Sequence, residues 1–331
     1  MNRIEKKFLE NIRRQRLAGS GDAVLLAVSG GPDSMALLHL FAAASPVLRC
    51  CFGVAHCNFT LRGEASDGDE AFVRAACRAL GLDCHVRRFD TASVSSAWKK
   101  SVEESARALR YDFFEELCRE AGYSRIATGH HSGDNAETVL FNLFRGTGVS
   151  GLRGIRARHG AIIRPLLPFS RQEIVTYLEE KQIDWRDDHT NEGIEYDRNF
   201  IRNRVIPVIE ERFGSKFSPS MQRLSEQAGE LEAFINLHIS RLLEAQPGLD
   251  LAGGKLHVST MRQLSIFERK EIFKRALKLR GLAVDSQSLA RIAGLLDNQS
   301  GRSVPVGEGV EAVRQDGFLR FRQTGDPSDH R

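Results

Sequence analysis

The sequence predicts an α/β fold, a doubly wound parallel sheet followed by a smaller, mainly helical α+β C-terminal domain. Three observations carry this expectation. Short apolar runs alternate with amphipathic helical stretches through the first two-thirds of the chain, the pattern of successive βαβ units. The first such run, with Val24, Leu25, Leu26 and Val28, stops abruptly at Ser29-Gly30-Gly31-Pro32-Asp33-Ser34, and a helical stretch starts at Met35. From about residue 215 the pattern changes to long helical periodicities and ends in short alternating segments. Two domains are therefore expected, 1–214 and 215–331, which suits a chain of 331 residues.

Composition narrows the function classes. Hydrophobic residues make up 41% and charged residues 27%, with a net charge of +4. That balance permits nucleic-acid binding only through local basic clusters. No apolar run has the length of a membrane span, and the first residues lack the apolar core of a signal peptide, so a cytoplasmic location without membrane partners is expected. The six cysteines include no C-x-x-C pair, which argues against structural zinc and iron–sulfur sites.

Taken in order, Ile4, Phe8, Ile12 and Leu17 mark an amphipathic helix over 3–17. The 29–34 turn reads as a phosphate cradle. Its glycines let backbone amides approach an anion, and Pro32 suits a first helical turn. Ser29 and Ser34 add hydroxyls, and the helix N-terminus adds partial positive charge. No lysine follows the glycines, so this is not the G-x-x-x-x-G-K-[ST] loop. A break is expected at 43–46, then a strand at 50–55, a helix at 66–80 closed by Gly81, and a strand at 84–89. A helix at 101–121 and a strand at 125–128 follow.

Sheets of this class bind ligands beyond the carboxyl ends of their strands, and the unusual polar residues fall there, at 29–34, 56–62 and 129–138. Asp134, Glu137 and Thr138 share one helical face. Such a carboxylate pair can hold Mg²⁺ or bind a cationic nucleophile. Arg107 and Arg110, beside Tyr111, offer fixed cations for a transition state that spreads negative charge. Gly146, Gly148 and Gly151 fit G-x-G-x-x-G, but they follow a helix rather than a strand, so a dinucleotide site is rejected.

An edge-like segment at 161–168 precedes a helix at 171–182. Arg198, Asn199 and Arg202 recur at helical spacing beside Tyr196 and Phe200, the residue types that grip single-stranded RNA. Further on, a long helix precedes a loop at 246–254. Arg269, Lys270, Lys274, Arg275, Lys278 and Arg280 then face one acid, Glu271, and a terminal hairpin is expected at 303–322.

The Ser-Gly-Gly-x-Asp-Ser stretch resembles the PP-loop of the ATP pyrophosphatases, a Rossmann-like class. With it stand His-x-Asn-x-x-x-Arg (His56, Asn58, Arg62), Ala-Arg-x-x-Arg-Tyr, Thr-Gly-His-His-x-x-Asp-Asn-x-Glu-Thr, Arg-Gly-Thr-Gly, Arg-Pro-Leu and Arg-Asn-x-x-Arg. Together, and in this order, they resemble the tRNA(Ile)-lysidine synthetase family. The resemblance implies ATP and Mg²⁺ as cofactors, with tRNA(Ile) bearing a CAU anticodon and free L-lysine as substrates. ATP adenylylates the wobble cytidine, and lysine displaces AMP to give lysidine.

Carried onto this chain, the resemblance implies that Ser29, Gly30, Gly31, Pro32, Asp33, Ser34, His56 and Gly129 bind ATP, with Asp33 on the metal. It implies that Arg110 stabilises the α-phosphate or the activated base, and that Asp134 and Glu137 receive the lysine ammonium. Arg107, Arg198, Asn199 and Arg202, with Lys274, Arg275 and Lys278, are the expected tRNA contacts, and a homodimer is compatible with the sequence. The competing expectations are a PP-loop thiolase or amidotransferase, or a tRNA-binding module without catalysis. Thiolating relatives use C-x-x-C cysteines, and pure binding needs no acidic pair beside an anion site.

Overall fold

The computed structural model describes residues 1–186 and 197–324. Tyr196, and the chain from 325 onward, lie outside the described residues. Contacts divide the chain into two units, Met1–Gly229 and Glu230–Arg331.

The first unit runs α1 (Arg3–Arg14), β1 (Ala23–Ala27), α2 (Pro32–Leu48), β2 (Cys51–Asn58), α3 (Glu64–Leu80), β3 (Cys84–Arg88), α4 (Thr91–Trp98), α5 (Val102–Glu120), β4 (Arg125–Ala127), α6 (Ser132–Phe144), α7 (Val149–Leu152), β5 (Arg158–His159), β6 (Ile162–Ile163), α8 (Arg171–Glu180), α9 (Asp197–Phe200) and α10 (Ile206–Phe213). A π-helical turn, Ile201–Val205, joins α9 to α10. The six strands lie in the order β3-β2-β1-β4-β6-β5. All neighbours are parallel except β5 and β6.

Alternation along β1 builds two cores. Val24 and Leu26 join Phe8, Phe41, Leu37 and Tyr177 on one face, where α1, α2 and α8 pack. Leu25 joins Phe113, Phe114 and Leu117 of α5 on the other. A strand buried on both faces reads as an unbroken apolar run, which is why the 24–28 stretch signalled the fold. Because the chain winds from β1 through β2 to β3 on one side and then returns to place β4 on the other side of β1, the crevice beyond β1 and β4 is the switch point of the sheet.

Several elements depart from the sequence expectation. Helix α2 does not break at 43–46 but carries Pro46 inside it. Proline removes one N–H from the helical ladder, and the Ser45 hydroxyl instead donates to the Ala42 carbonyl at 3.5 Å. The helix ends at Arg49, whose φ of 55° is left-handed. Strand β2 extends to Asn58 because β3 pairs with its second half, His56 opposite Val86 and Asn58 opposite Arg88. His56 and Asn58 therefore belong to the strand rather than to the loop after it. Helix α4, unforeseen among Ser and Thr, starts under the Asp90 side chain, which accepts from the Ser93 amide at 3.1 Å.

Helix α11 (Phe217–Ala245) runs through the division between the units. Phe217 and Met221 join Ala136, Leu140 and Ile201 in the first, and Ile239 belongs to the core of the second. The second unit continues with β7 (Leu249–Asp250), β8 (Lys255–His257), α12 (Val258–Gln263), α13 (Ile266–Lys278), α14 (Ser286–Leu295), β9 (Ser303–Gly307), β10 (Val310–Gln315) and β11 (Phe318–Gln323). The expected hairpin is part of a five-stranded antiparallel sheet, β7-β8-β11-β10-β9. The expected loop at 246–254 contains β7, a strand too short to show periodicity.

Candidate active site

The 29–34 turn closes on the Ser34 hydroxyl. That oxygen accepts from the Ser29 and Gly30 amides at 3.2 and 3.1 Å and donates to the Gly31 carbonyl at 2.9 Å. Gly30 has φ +101°, a conformation that other residues rarely adopt. Pro32 occupies the first turn of α2, and no side chain caps that helix. The start of that helix is thus left without a side-chain cap, the kind of place where an anion binds.

Asp33 is the next residue of that turn. Its Oδ1 is buried and makes no hydrogen bond. Burial pushes its carboxyl above the usual value, although His131 and Arg171 oppose the shift. The Arg171 guanidinium lies 3.7 Å from Oδ2. Gly129, at the end of β4, presses its backbone against Asp33: a Cβ there would stand 3.2 Å from the Asp33 carbonyl carbon. The segment after β4 thus passes close to the first turn of α2.

After Gly129 the chain turns into α6 through His131, which caps the helix with its ring. The Gly133 amide donates to His131 Nδ1 at 2.9 Å, so the neutral ring carries its proton on Nε2. That Nε2 lies 3.8 Å from both Asp33 Oδ1 and Asp134 Oδ2. The His131 amide in turn holds Asp134 Oδ2 at 2.8 Å. Asp134 and Glu137 share a face of α6, as their spacing predicts, and one guanidinium covers both. Arg202 Nε meets Glu137 Oε1 at 2.6 Å, and its Nη2 meets Glu137 Oε2 at 2.9 Å and Asp134 Oδ1 at 3.2 Å. Arg202 sits in the π-helical turn, a distortion often kept where side chains must be aimed.

A second group lines the same strand ends. Arg110 stacks over Phe59, 5.4 Å from the ring centroid, and Arg107 over Tyr111 at 5.2 Å. Arg107, Arg110 and Arg164 all bear electrostatically on His130, and burial holds that imidazole down to about 4. Thr128 Oγ1 contacts His130 Nδ1 at 2.9 Å. Burial also pushes the Cys57 thiol up to about 12, against Arg110 and Arg87. His56 is buried, and its Nδ1 lies 2.9 Å from the Val28 carbonyl, which can only accept, so the proton sits there. The crevice is thus lined by neutral imidazoles and thiol, and its positive charge comes from arginines.

The remaining expected contacts lie elsewhere. Arg198 stacks on Phe141 at 5.3 Å, and a second guanidinium, Arg145, lies 5.2 Å from the same ring. Asn199 is on the same short helix, α9. In the second unit, Lys274 pairs with Glu271 at 2.6 Å. Arg275 binds the Asn236 carbonyl and side chain, each at 3.0 Å, and Ser240. Lys278 and Lys270 are exposed. Arg171 lies outside the expected set, and His131 and Arg164, which stand in the quoted motifs, have no role assigned from the sequence. A histidine three residues before an aspartate at a helix start is the capping-box spacing, a signal that could have found His131.

Residues 2–209 match the family model described as a PP-loop domain. Over 331 residues the chain is 80% identical to a tRNA(Ile)-lysidine synthase of Chlorobaculum tepidum, covering 100% of both. A tRNA(Ile)-lysidine synthase of Clostridium perfringens is 33% identical over 327 residues, which is 96% of this chain and 69% of that one. Among solved structures, a U34-tRNA thiolase from Methanococcus maripaludis aligns with a TM-score of 0.55 at 17% identity, over 67% of this chain and 77% of that chain. That last likeness is one of fold alone.

Proposed function

Because the chain belongs to the tRNA(Ile)-lysidine synthase family of PP-loop proteins, we propose that it joins free lysine to the wobble cytidine of tRNA(Ile) with a CAU anticodon. The cytidine O2 attacks the α-phosphorus of ATP, and pyrophosphate leaves. The lysine ε-amine then attacks C2, and the C2–O2 bond breaks to release AMP. The observation that carries the assignment of roles is the meeting of Asp33 with the Asp134–Glu137 pair across His131. It sets a phosphate site and a cation site side by side.

The phosphates would lie on the 29–34 turn, against the uncapped start of α2. A buried carboxylate oxygen without a hydrogen bond suits a hard divalent cation, which brings its own waters and phosphate oxygens. Asp33 would hold Mg²⁺ there, and the metal would neutralise charge on the leaving pyrophosphate. Arg110, stacked on Phe59, would stabilise the α-phosphate or the activated base. His56 and Gly129 belong to the walls of the nucleotide site. Glu137 and Asp134 take the lysine ammonium and draw off the proton that the amine must lose before attack. Arg202 now supplies the positive charge on that pair, so the incoming ammonium must replace it.

The tRNA reading of Arg107, Arg198 and Asn199 is supported by the stacked guanidiniums, which present flat cationic faces to unpaired bases. The second unit would add phosphate contacts through Lys274, Arg275 and Lys278. The decisive experiment mixes the protein with Mg·ATP, radiolabelled lysine and unmodified tRNA(Ile). ATP-dependent label in the tRNA, absent with a methionine-CAU tRNA, is the expected result, and no label in either tRNA overturns the reading.

A further inference from the structure

We propose that Asp69 is a positioning residue for the ATP phosphates, acting through Arg186 on the 29–34 turn. The inference rests on the ATP-binding role just given to that turn. The Arg186 amide donates to the Gly30 carbonyl at 3.0 Å. In a trans peptide the carbonyl of one residue and the N–H of the next point in opposite directions. Holding the Gly30 carbonyl outward therefore turns the Gly31 N–H inward, where it now meets only a long contact of 3.4 Å with Ser29 Oγ. That inward amide is the donor a phosphate would use.

The strap is held in place by its side chain. Arg186 Nε is hydrogen-bonded to Asp69 Oδ1, across 117 residues of sequence. The other Asp69 oxygen holds Arg62 Nη2 at 2.6 Å. Asp69 lies on α3, whose Val73 and Phe72 approach the other side of the turn. They stand 3.5 and 3.6 Å from where a Gly30 Cβ would be. The phosphate turn is thus gripped between α3 and the 183–186 segment, and Asp69 ties the two jaws together. Gly68 makes room for this: a Cβ there would stand 3.1 Å from Arg186 Nη2. A glycine within a helix is unfavourable relative to alanine, and here it leaves room for the guanidinium.

A different role for Asp69 predicts the opposite sign. If it only neutralises two arginines, removing its charge leaves the turn's surroundings more positive and tightens nucleotide binding. Calorimetry on the full chain with Mg²⁺ and a non-hydrolysable ATP analogue separates the two. Asp69→Asn should weaken binding about tenfold, Arg186→Lys should weaken it similarly, and Asp69→Glu should restore part of it. The Michaelis constant for lysine should stay within about twofold. Binding that is unchanged or tighter in Asp69→Asn overturns the proposal, and so does an equal rise in the ATP and lysine constants. If Asp69→Asn does not fold, Arg186→Lys carries the same test. Failure of the wild-type protein to bind the analogue would remove the functional reading itself. Binding lost in Asp33→Ala but intact in both strap variants would sink this inference alone.

Discussion

The crevice beyond β1 and β4 and the basic helix α13 both looked, as sequence, like charged sites, and their structures differ in what the charges do. On α13 most bases are already committed. Lys274 pairs with its helical neighbour Glu271, Arg275 fastens the helix to α11, and Arg269 donates to the Arg262 carbonyl, while Arg280, just beyond the helix, lies over Phe321 and donates to the Ala276 carbonyl. In the crevice a carboxylate oxygen is buried without a hydrogen bond, and a helix start carries no side-chain cap. Unmet groups cost free energy in the folded protein, and they persist where a ligand meets them. The density of charge in a sequence therefore locates solvated faces as readily as sites. Arg269 Nε on α13 is also buried without a hydrogen bond, so the better marker is the combination of an unmet carboxylate with an uncapped helix start.

The largest effect that tests this contrast is at Asp33. Asp33→Ala should lower pyrophosphate release about 10²–10³-fold in a pyrophosphate assay, with the fold intact by circular dichroism. Asp33→Asn should be as inactive yet more resistant to heat at pH 7. Burial raises this carboxyl above its ordinary value of 3.8, so the folded state is burdened by the ionised form. That burden is absent below the ordinary value, where both states are protonated, and present in full above the raised one. The gain in melting temperature should accordingly vanish in acid. An Asn variant that melts lower than the wild type at pH 7 would break the contrast at its strongest point.

Next comes the acidic pair. Glu137→Gln keeps the size but not the charge that binds an ammonium. The Michaelis constant for lysine should rise about ten- to hundredfold, and that for ATP should move much less. Steady-state kinetics with each substrate varied decides it. A rise confined to ATP would move Glu137 to the metal and misplace the lysine site.

Smaller effects belong to α13. Arg275→Gln removes bonds to Asn236 and Ser240 and should destabilise the second unit by about 1–2 kcal/mol, read from urea unfolding. Changing exposed Lys270 and Lys278 to Gln should leave stability alone and lower the salt slope of tRNA binding by about 1–2. An unchanged slope would make α13 wholly a solvated face.

What the sequence disclosed was local. The 29–34 turn, the strand before it and the helix after it are contiguous, and each is fixed by neighbours a few residues away. The Asp134 and Glu137 face follows from helical period in the same way. What stayed hidden depends on residues brought together by the fold. Arg202 reaches Glu137 across 65 residues, and Arg186 reaches Asp69 from further still. His131 concealed its role because a ring nitrogen that accepts from Gly133 determines what the other nitrogen presents, and only coordinates reveal that. Pro46 misled for a different reason: a hydroxyl one residue earlier compensates for the donor it lacks. His56 was placed in a loop because polar residues seldom mark a central strand.

The close approach of Gly129 to Asp33 has a consequence for anyone rebuilding this protein. The spacing of the 29–34 turn from the start of α6 is tight enough that even a Cβ at Gly129 would crowd Asp33. Loop grafts from relatives should therefore be exchanged as a matched pair, 29–34 together with 129–137, because either one moved alone carries a spacing that its partner was not built to meet.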